Sequence, residues 1–328
     1  MNPLISILIP TYNRAGLIGE TLASVLGQEY KKWECIVVDD GSTDETDKIL
    51  NAFCKIDSRF IYAHRPSNRQ KGANACRNYG FEISKGDFIQ LLDSDDILEP
   101  NCLSERVNLI VKSPDTDVLV RDTGVIVDAN KEFTAINIDP DKKSREAYLR
   151  LFLSYHVPWH TSSALYKRNV FSTCKFDERL ARFQDVSFNI KILSANKDLN
   201  ILRNPKIDTF YRVEKEKKIT KTFLCILMKS LSRFNTIHTN LSHNINYKSD
   251  LRLFNINFFN DYFLDRIKEN KKDVFILIIS YLKGNLFSLK QKFYFVLCFI
   301  FYATGIIHIK GIGMYRFNKA YTKVFKSE

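Results

Sequence analysis

The stretch Ile5 to Thr46 reads ISILIPTYNRAGLIGETLASVLGQEYKKWECIVVDDGSTDET. It opens on a β-branched apolar run that ends in the polar Pro10-Thr11-Tyr12-Asn13-Arg14. Leu17, Ile18, Thr21, Leu22, Val25 and Leu26 then recur at helical spacing, and a second apolar run, Trp33 to Val38, ends in Asp39-Asp40-Gly41-Ser42. Strand, amphipathic helix and strand in that order predict a βαβ unit. Working outward, Ser42 and Thr43 offer N-caps for a helix from Asp44 to Lys55, and Arg59 to Ala63 and Asp87 to Leu92 continue the alternation. Near-continuous apolar strands separated by helices imply a parallel sheet covered on both faces, with ligands at the carboxyl ends of the strands. The polar clusters stand at those ends.

Further along, Pro100 to Lys112 reads as a helix, Asp117 to Asp128 as strands, residues 143–155 as a helix, Thr161 to Tyr166 as a strand and Gln184 to Ala195 as a helix. After Thr220 the β signal fades into long helical patterns. Charge divides at a similar place: residues 1–200 hold 26 Lys/Arg against 28 Asp/Glu, and residues 201–328 hold 23 against 9. A basic second part points to an anionic partner, nucleic acid or lipid. Two apolar segments there favour lipid: Val274 to Leu282, and Phe293 to Ile309, which runs 17 residues without a formal charge. As a helix the second is about 25 Å long, short of the roughly 30 Å hydrocarbon core, so a helix lying in the membrane interface is expected ahead of a true span or a buried core helix. Seven cysteines without a C-x-x-C pair argue against a disulfide scaffold or zinc knuckle and fit a reducing compartment. No secretory leader is expected from the short run Leu4 to Pro10.

The chemistry concentrates in Leu92-Asp93-Ser94-Asp95-Asp96, three carboxylates within four residues directly after an apolar run. Crowded carboxylates repel unless a cation or donor groups relieve them, and hard oxygen ligands suit Mg²⁺ or Mn²⁺ with diphosphate oxygens completing the shell. The plainer reading is a solvated acidic loop capping the next helix. Lys71-Gly72-Ala73-Asn74-Ala75-Cys76-Arg77-Asn78 opens a helix with small residues, which allows close backbone approach to a ligand. Asp185 follows Gln184 at a loop-to-helix junction, where a carboxylate is more often a cap than a base.

Ile5 to Thr46, together with GANACRNYG (Gly72 to Gly80), GDFIQLLDSDD (Gly86 to Asp96) and FDERLARFQD (Phe176 to Asp185), closely resembles the family 2 glycosyltransferases of the GT-A fold, over about the first 215 residues. The resemblance implies an α/β fold, a Rossmann-like, mostly parallel sheet with helices on both faces, followed by a mainly helical C-terminal extension. It places a nucleotide-binding half in residues 1–98 and an acceptor half in 99–215, and the charge and apolar pattern of the tail add a basic, membrane-associated region in 216–328. By the same resemblance Pro10, Thr11, Tyr12, Asn13 and Asp40 line the nucleobase and ribose pocket, and Gly72, Arg77 and Asn78 border the nucleotide. Asp93 and Asp95 match the family's DXD pair, with Asp95 the favoured metal ligand, and Asp185 matches the general base. Gln184 stands where the family usually has Glu. Tyr211-Arg212 resembles the closing segment near the diphosphate, but Glu214 and Lys215 occupy the place of a histidine often found there.

The implied activity is inverting transfer of one sugar from a nucleotide-sugar, a UDP-sugar, to a saccharide or lipid-linked acceptor in surface-polysaccharide assembly. The expected cofactor is Mn²⁺ or Mg²⁺. The expected location is the cytoplasm, peripheral on the inner face of the cell membrane and bound to anionic lipid, with no nucleic-acid partner. No Q-x-x-R-W motif of processive members is present, and Trp159 with His160 stands where acceptor contacts are expected, an aromatic core anchor being the other reading of Trp159. Two alternatives stay open from the sequence: a sugar-nucleotide-binding protein impaired in turnover, and a nucleotidyltransferase.

Overall fold

The apolar run from Ile5 becomes strand β1, Ile5–Thr11, with all its residues buried, and the run from Trp33 becomes β2, Trp33–Asp39, equally buried. Strands closed off from water on both faces are the signature of a sheet sandwiched by helices. The computed structural model describes residues 2–127, 130–136, 144–213, 219–238, 240–241, 245–306 and 314–326. Glu214 and Lys215, the boundary at 215/216 and the end of the apolar segment, Ile307 to Ile309, lie outside the described residues.

Helix α1, Ile18–Leu26, buries Ile18, Thr21, Leu22 and Val25, the stripe its spacing predicts. Helix α2, Thr46–Ile56, begins later than expected, and Ser42 and Thr43 do not cap it. The Ser42 hydroxyl donates to Asp39 Oδ1 at 2.7 Å, and Thr43 N–H donates to Asn13 Oδ1 at 2.8 Å. These short polar side chains serve a turn instead of a helix end. Strand β3, Phe60–His64, helix α3, Ala73–Ile83, and strand β4, Phe88–Leu91, complete the first half, in which β3, β2, β1 and β4 lie side by side and parallel.

Beyond β4 the sheet changes character. After β5, Ile97–Leu98, and helix α4, Cys102–Lys112, come β6, Val118–Val127, β7, Asn130–Ile136, helix α5, Arg145–Leu153, and β8, Ala164–Lys167. Helix α6, Arg168–Ser172, helix α7, Gln184–Ala195, and β9, Ile201–Arg212, follow. β8 runs antiparallel to both β4 and β6, β9 runs parallel to β6, and β5 and β7 pair antiparallel with β9 and β6. Among the described residues this is one nine-stranded mixed sheet in the order β3-β2-β1-β4-β8-β6-β9-β5, with β7 on β6.

A polar network joins the two halves. The guanidinium of Arg106, on α4, forks onto both oxygens of Asp208, on β9, at 2.7 and 2.8 Å, and Arg121, on β6, reaches the same carboxylate at 3.2 Å. Arg106 and Asp208 are 0% and 2% exposed, so neither charge has water to fall back on. Arg106 also donates to Gln90 Oε1, on β4, and Gln90 Nε2 donates to the Ser162 carbonyl at 2.8 Å. The core beneath packs Ile7, Leu22, Val37, Leu103, Leu119 and Leu165 from strands and helices together.

The chain divides into two compact units. The first comprises Met1–Phe152, His156–Arg179 and Gln184–Lys217 and contains the sheet. The second comprises Leu153–Tyr155, Leu180–Phe183 and Lys218–Glu328. Its helices are α8, Lys221–Ile237, α9, Ile245–Phe258, α10, Lys271–Lys283, α11, Leu289–Thr304, and α12, Met314–Lys326. Aromatic contacts fill its interior: Phe183 meets Phe234, Phe254 and Phe258 at 4.9–5.7 Å, and Phe295 meets Phe259, Tyr281, Phe287 and Phe325 at about 5 Å. Helix α11 starts at a capping box, Ser288 with Gln291, and stops at Gly305 in a left-handed conformation, φ 77°. The expected apolar helix therefore ends well before Ile309.

Asp208→Ala removes the shared acceptor of two buried guanidiniums, and the unfolding free energy from urea titration is expected to fall by about 3–5 kcal/mol. An unchanged midpoint would show that the network is dispensable.

Candidate functional site

The carboxyl ends of β1, β2 and β4 meet along one edge of the first unit, with Thr11 in register with Asp39 and the Asp40 N–H donating to the Thr11 carbonyl at 2.9 Å. Straight after β4 the chain turns tightly, Asp96 N–H donating to Asp93 O at 3.1 Å. The turn gathers the three acids. Asp96 is wholly buried and Asp93 and Asp95 are half-buried. Burial, followed by the charges of Asp93 and Asp95, pushes the Asp96 carboxyl well above the usual range. Burial also raises Asp93, but the Arg77 guanidinium, with help from His160 and Arg14, outweighs it and holds that carboxyl below its ordinary value.

His160 comes from the turn before β8. Its Nδ1 lies 3.8 Å from Asp96 Oδ2 and 3.0 Å from the Ser162 hydroxyl, which in turn stands 3.1 Å from Asp96 Oδ2. Burial pushes its pKa down, toward the neutral imidazole that binds metals. One donor atom from each of Asp93, Asp96 and His160 falls within 4.8 Å of the others. Two carboxylates and an imidazole, crowded enough to raise one acid, form a donor set that fits a divalent cation. Asp95, the ligand favoured by the resemblance, stands beside this grouping and not in it. Its carboxylate faces Arg14 at 3.7 Å, and its carbonyl accepts from Arg212 Nε at 3.2 Å.

Arg77, on α3, is the hub of the site. It donates to Asp93 Oδ1 at 2.7 Å and to Gln184 Oε1 at 3.0 Å, so the DSDD turn and the start of α7 share one buried cation. Asp185, the next residue, is half-buried, and its charge acts on His160. Phe183, just before α7, is held at φ 60°, a conformation costing a bulky residue about 1–3 kcal/mol. Arg212 ties the other side, its backbone N–H pointing at Asp96 Oδ1 at 3.4 Å and its guanidinium donating to Glu20 at 2.6 Å.

The predicted nucleotide pocket is occupied in part by structural bonds. Asn13, at φ 50°, has its carbonyl oxygen committed to Thr43, and Asn78 clasps Phe176 through both N–H···O contacts at 3.0 Å and reaches Glu178. These two asparagines hold loops, Asn13 through its side-chain oxygen and Asn78 through both ends of its amide. Asp40 is buried in an ion pair with Arg65, a residue the sequence reading passed over. Pro10 is buried within β1. Thr11 is buried with its hydroxyl lacking any partner among the described residues, and Tyr12 is exposed beneath the Lys71 ammonium at 4.1 Å. Gly72 caps α3 at φ 140°, where only glycine sits without strain, and open space lies above its Cα.

Trp159 is a core residue. Its indole is 3% exposed and meets Tyr148 and Phe152 edge-on at 5.2 and 4.7 Å, so it is not presented to a sugar ring. His160 lies with Asp93 and Asp96. The sequence did not point to this grouping, because Asp96 stands beside a two-acid motif and 64 residues separate it from His160.

Comparison with known proteins gives a consistent picture. The sequence profile described as Glycosyl transferase family 2 matches residues 6–174. The uncharacterized glycosyltransferase RT0329 of Rickettsia typhi is 31% identical over 198 residues, 60% of this chain and 60% of that protein. Glycosyltransferase GlyG of Streptococcus pneumoniae serotype 4 is 37% identical over 120 residues, 37% of this chain and 39% of its own length. The matched region thus spans less than two thirds of either relative. Among solved structures, S. aureus TarS 1–349 in complex with UDP superposes at a TM-score of 0.68 with 16% identity, covering 96% of this chain and 91% of that one. Mannosyltransferase PcManGT from Pyrobaculum calidifontis, in complex with GDP-Man and Mn²⁺, gives 0.52 with 17% identity over 100% and 87%. The fold is the GT-A fold that the resemblance implied.

Trp159→Ala is expected to lower the unfolding free energy by about 3–5 kcal/mol, as for other buried aromatics. A cost near zero in a denaturant titration would return Trp159 to the surface.

Proposed function

Because this chain belongs to glycosyl transferase family 2, we propose that it moves one sugar from a nucleotide-sugar, a UDP-sugar, to a hydroxyl of a saccharide or lipid-linked saccharide, inverting the anomeric centre. The observation that carries the reading is the Asp93, Asp96 and His160 cluster joined through Arg77 to the start of α7, where Asp185 stands. The complexes of TarS with UDP and of PcManGT with GDP-Man support a nucleoside-diphosphate donor.

On this reading the donor's base and ribose lie along the ends of β1 and β2. The unpartnered Thr11 hydroxyl, the exposed Tyr12 ring and the carboxylate of Asp40 supply a polar contact, a stacking face and an acceptor for ribose. The open backbone at Gly72 admits the ligand closely. Asp93, Asp96 and His160 would hold the divalent cation, whose positive charge at the diphosphate stabilises the leaving group. Arg77 keeps Asp93 ionised and oriented, and Arg14 and Arg212 add positive charge on the side of Asp95. Asp185 accepts the proton of the acceptor hydroxyl as that oxygen bonds to the anomeric carbon and the bond to the diphosphate breaks. Displacement from the opposite face inverts configuration.

The enzyme works from the cytoplasmic side, held peripherally on an anionic membrane by its basic C-terminal region. Among the described residues no helix is long and apolar enough to cross a bilayer.

Incubation with UDP-sugars and Mn²⁺, followed by release of UDP, tests the assignment. Asp185→Asn is expected to slow turnover by a factor of about 10² to 10⁴ while UDP still raises Tm. Wild-type rates in that variant would reduce Asp185 to a first-turn acid of α7. Asp96→Asn and His160→Ala are each expected to weaken Mn²⁺ binding, measured by titration calorimetry, by at least the roughly 10- to 100-fold that outer-shell changes produce. If Asp95→Asn alone did so, the cluster would be misassigned.

A further inference from the structure

Helix α11 carries two apolar stripes, and the second unit uses only one. Gln291, Phe295 and Cys298 are its buried residues. At about 100° per residue they share one arc, and Leu289, Phe293, Val296 and Ile300 fall within about 60° of one another on the opposite side. Leu289, Phe293 and Ile300 are 86%, 59% and 44% exposed. Exposed Phe275 and Ile276 on α10 extend the apolar face, Phe275 contacting the Phe299 ring of α11 at 5.4 Å. Large apolar side chains exposed along two helices that touch mark an interaction surface.

The charges around it select the partner. Lys290 and Lys292 flank the open stripe on its two sides, at about 100° and −60° from Leu289. Lys271, Lys272 and Lys283 stand on α10, and Asp273 is the only acid from residue 271 to residue 304. Lys292 donates to the Leu282 carbonyl at 2.8 Å, which fastens the two helices where the stripe begins. Lysines bordering an apolar strip bury their stems and keep their ammonium groups at the level of phosphates. With 16 residues, α11 is about 24 Å long, too short to span but well suited to lie flat.

We propose that the open face of α11, with Phe275 and Ile276 of α10, is a docking surface for an anionic lipid bilayer, into which Phe293 and Ile300 insert shallowly while Lys290 and the lysines of α10 meet the headgroups. This deepens the membrane-surface reading given above and rests on it. The stripe is the apolar contribution, and the lysines confer selectivity for anionic lipid.

Co-sedimentation of the full chain with vesicles tests the surface directly. The protein is expected to pellet with vesicles containing phosphatidylglycerol and to stay in solution with pure phosphatidylcholine. Phe293→Asp combined with Ile300→Asp is expected to cut the bound fraction at least about ten-fold, and Lys290→Glu to weaken binding more at low salt than at high salt. Equal sedimentation of the double variant, equal binding to both vesicle types, or a solution dimer that the double substitution splits would each overturn the proposal. UDP release measured without vesicles keeps the two readings apart. If the surface is wrong, wild type and double variant still release UDP; if the transferase reading is wrong, neither does, whatever the vesicles show.

Discussion

A carboxylate buried with two guanidiniums, Asp208 between Arg106 and Arg121, sets the terms for the sheet and for the site. Charges shut away from water are tolerated only when each donor and acceptor is met, so the elements that carry them cannot slide independently. Arg106 also donates to Gln90, Gln90 holds the Ser162 carbonyl, and the Ser162 hydroxyl faces Asp96. The parallel half, the mixed half and the acidic turn are thus linked by one continuous hydrogen-bonded path. Moving any part of it would strand a charge.

The first half of the fold was legible because β1, β2 and β3 are each followed by a helix, and the apolar runs and the helical period stand clear in Ile5 to Leu92. The second half was not. β9 carries Pro205 and Asp208 within its run, and only the neighbouring guanidiniums make a buried aspartate acceptable in a strand. β5 has two residues, too few for a period to appear. Ser42 and Thr43 were misread as caps because the same side chains serve turns, and only Asn13, distant in sequence, decides between the two.

The site divides in the same way. The acidic turn was visible as a cluster, but which acids group together depends on the geometry after β4 and on His160, and neither is encoded locally. Asn13 and Asn78 fit a ligand-binding motif equally well before the structure shows their hydrogen bonds going to Thr43 and Phe176. Trp159 is the reverse case: its place in the chain allowed an acceptor contact or a core anchor, and Tyr148 and Phe152 hold it in the core.

Gln184 accepts from Arg77 through a neutral amide oxygen. A glutamate at that position would divide the guanidinium's charge between two anions and leave the trio with a net charge of −1. With glutamine, Arg77 and Asp93 balance, so the site stands with one fewer negative charge. Under the proposed function a polyanionic donor meets less standing repulsion there, and less of the neutralising falls to a cation.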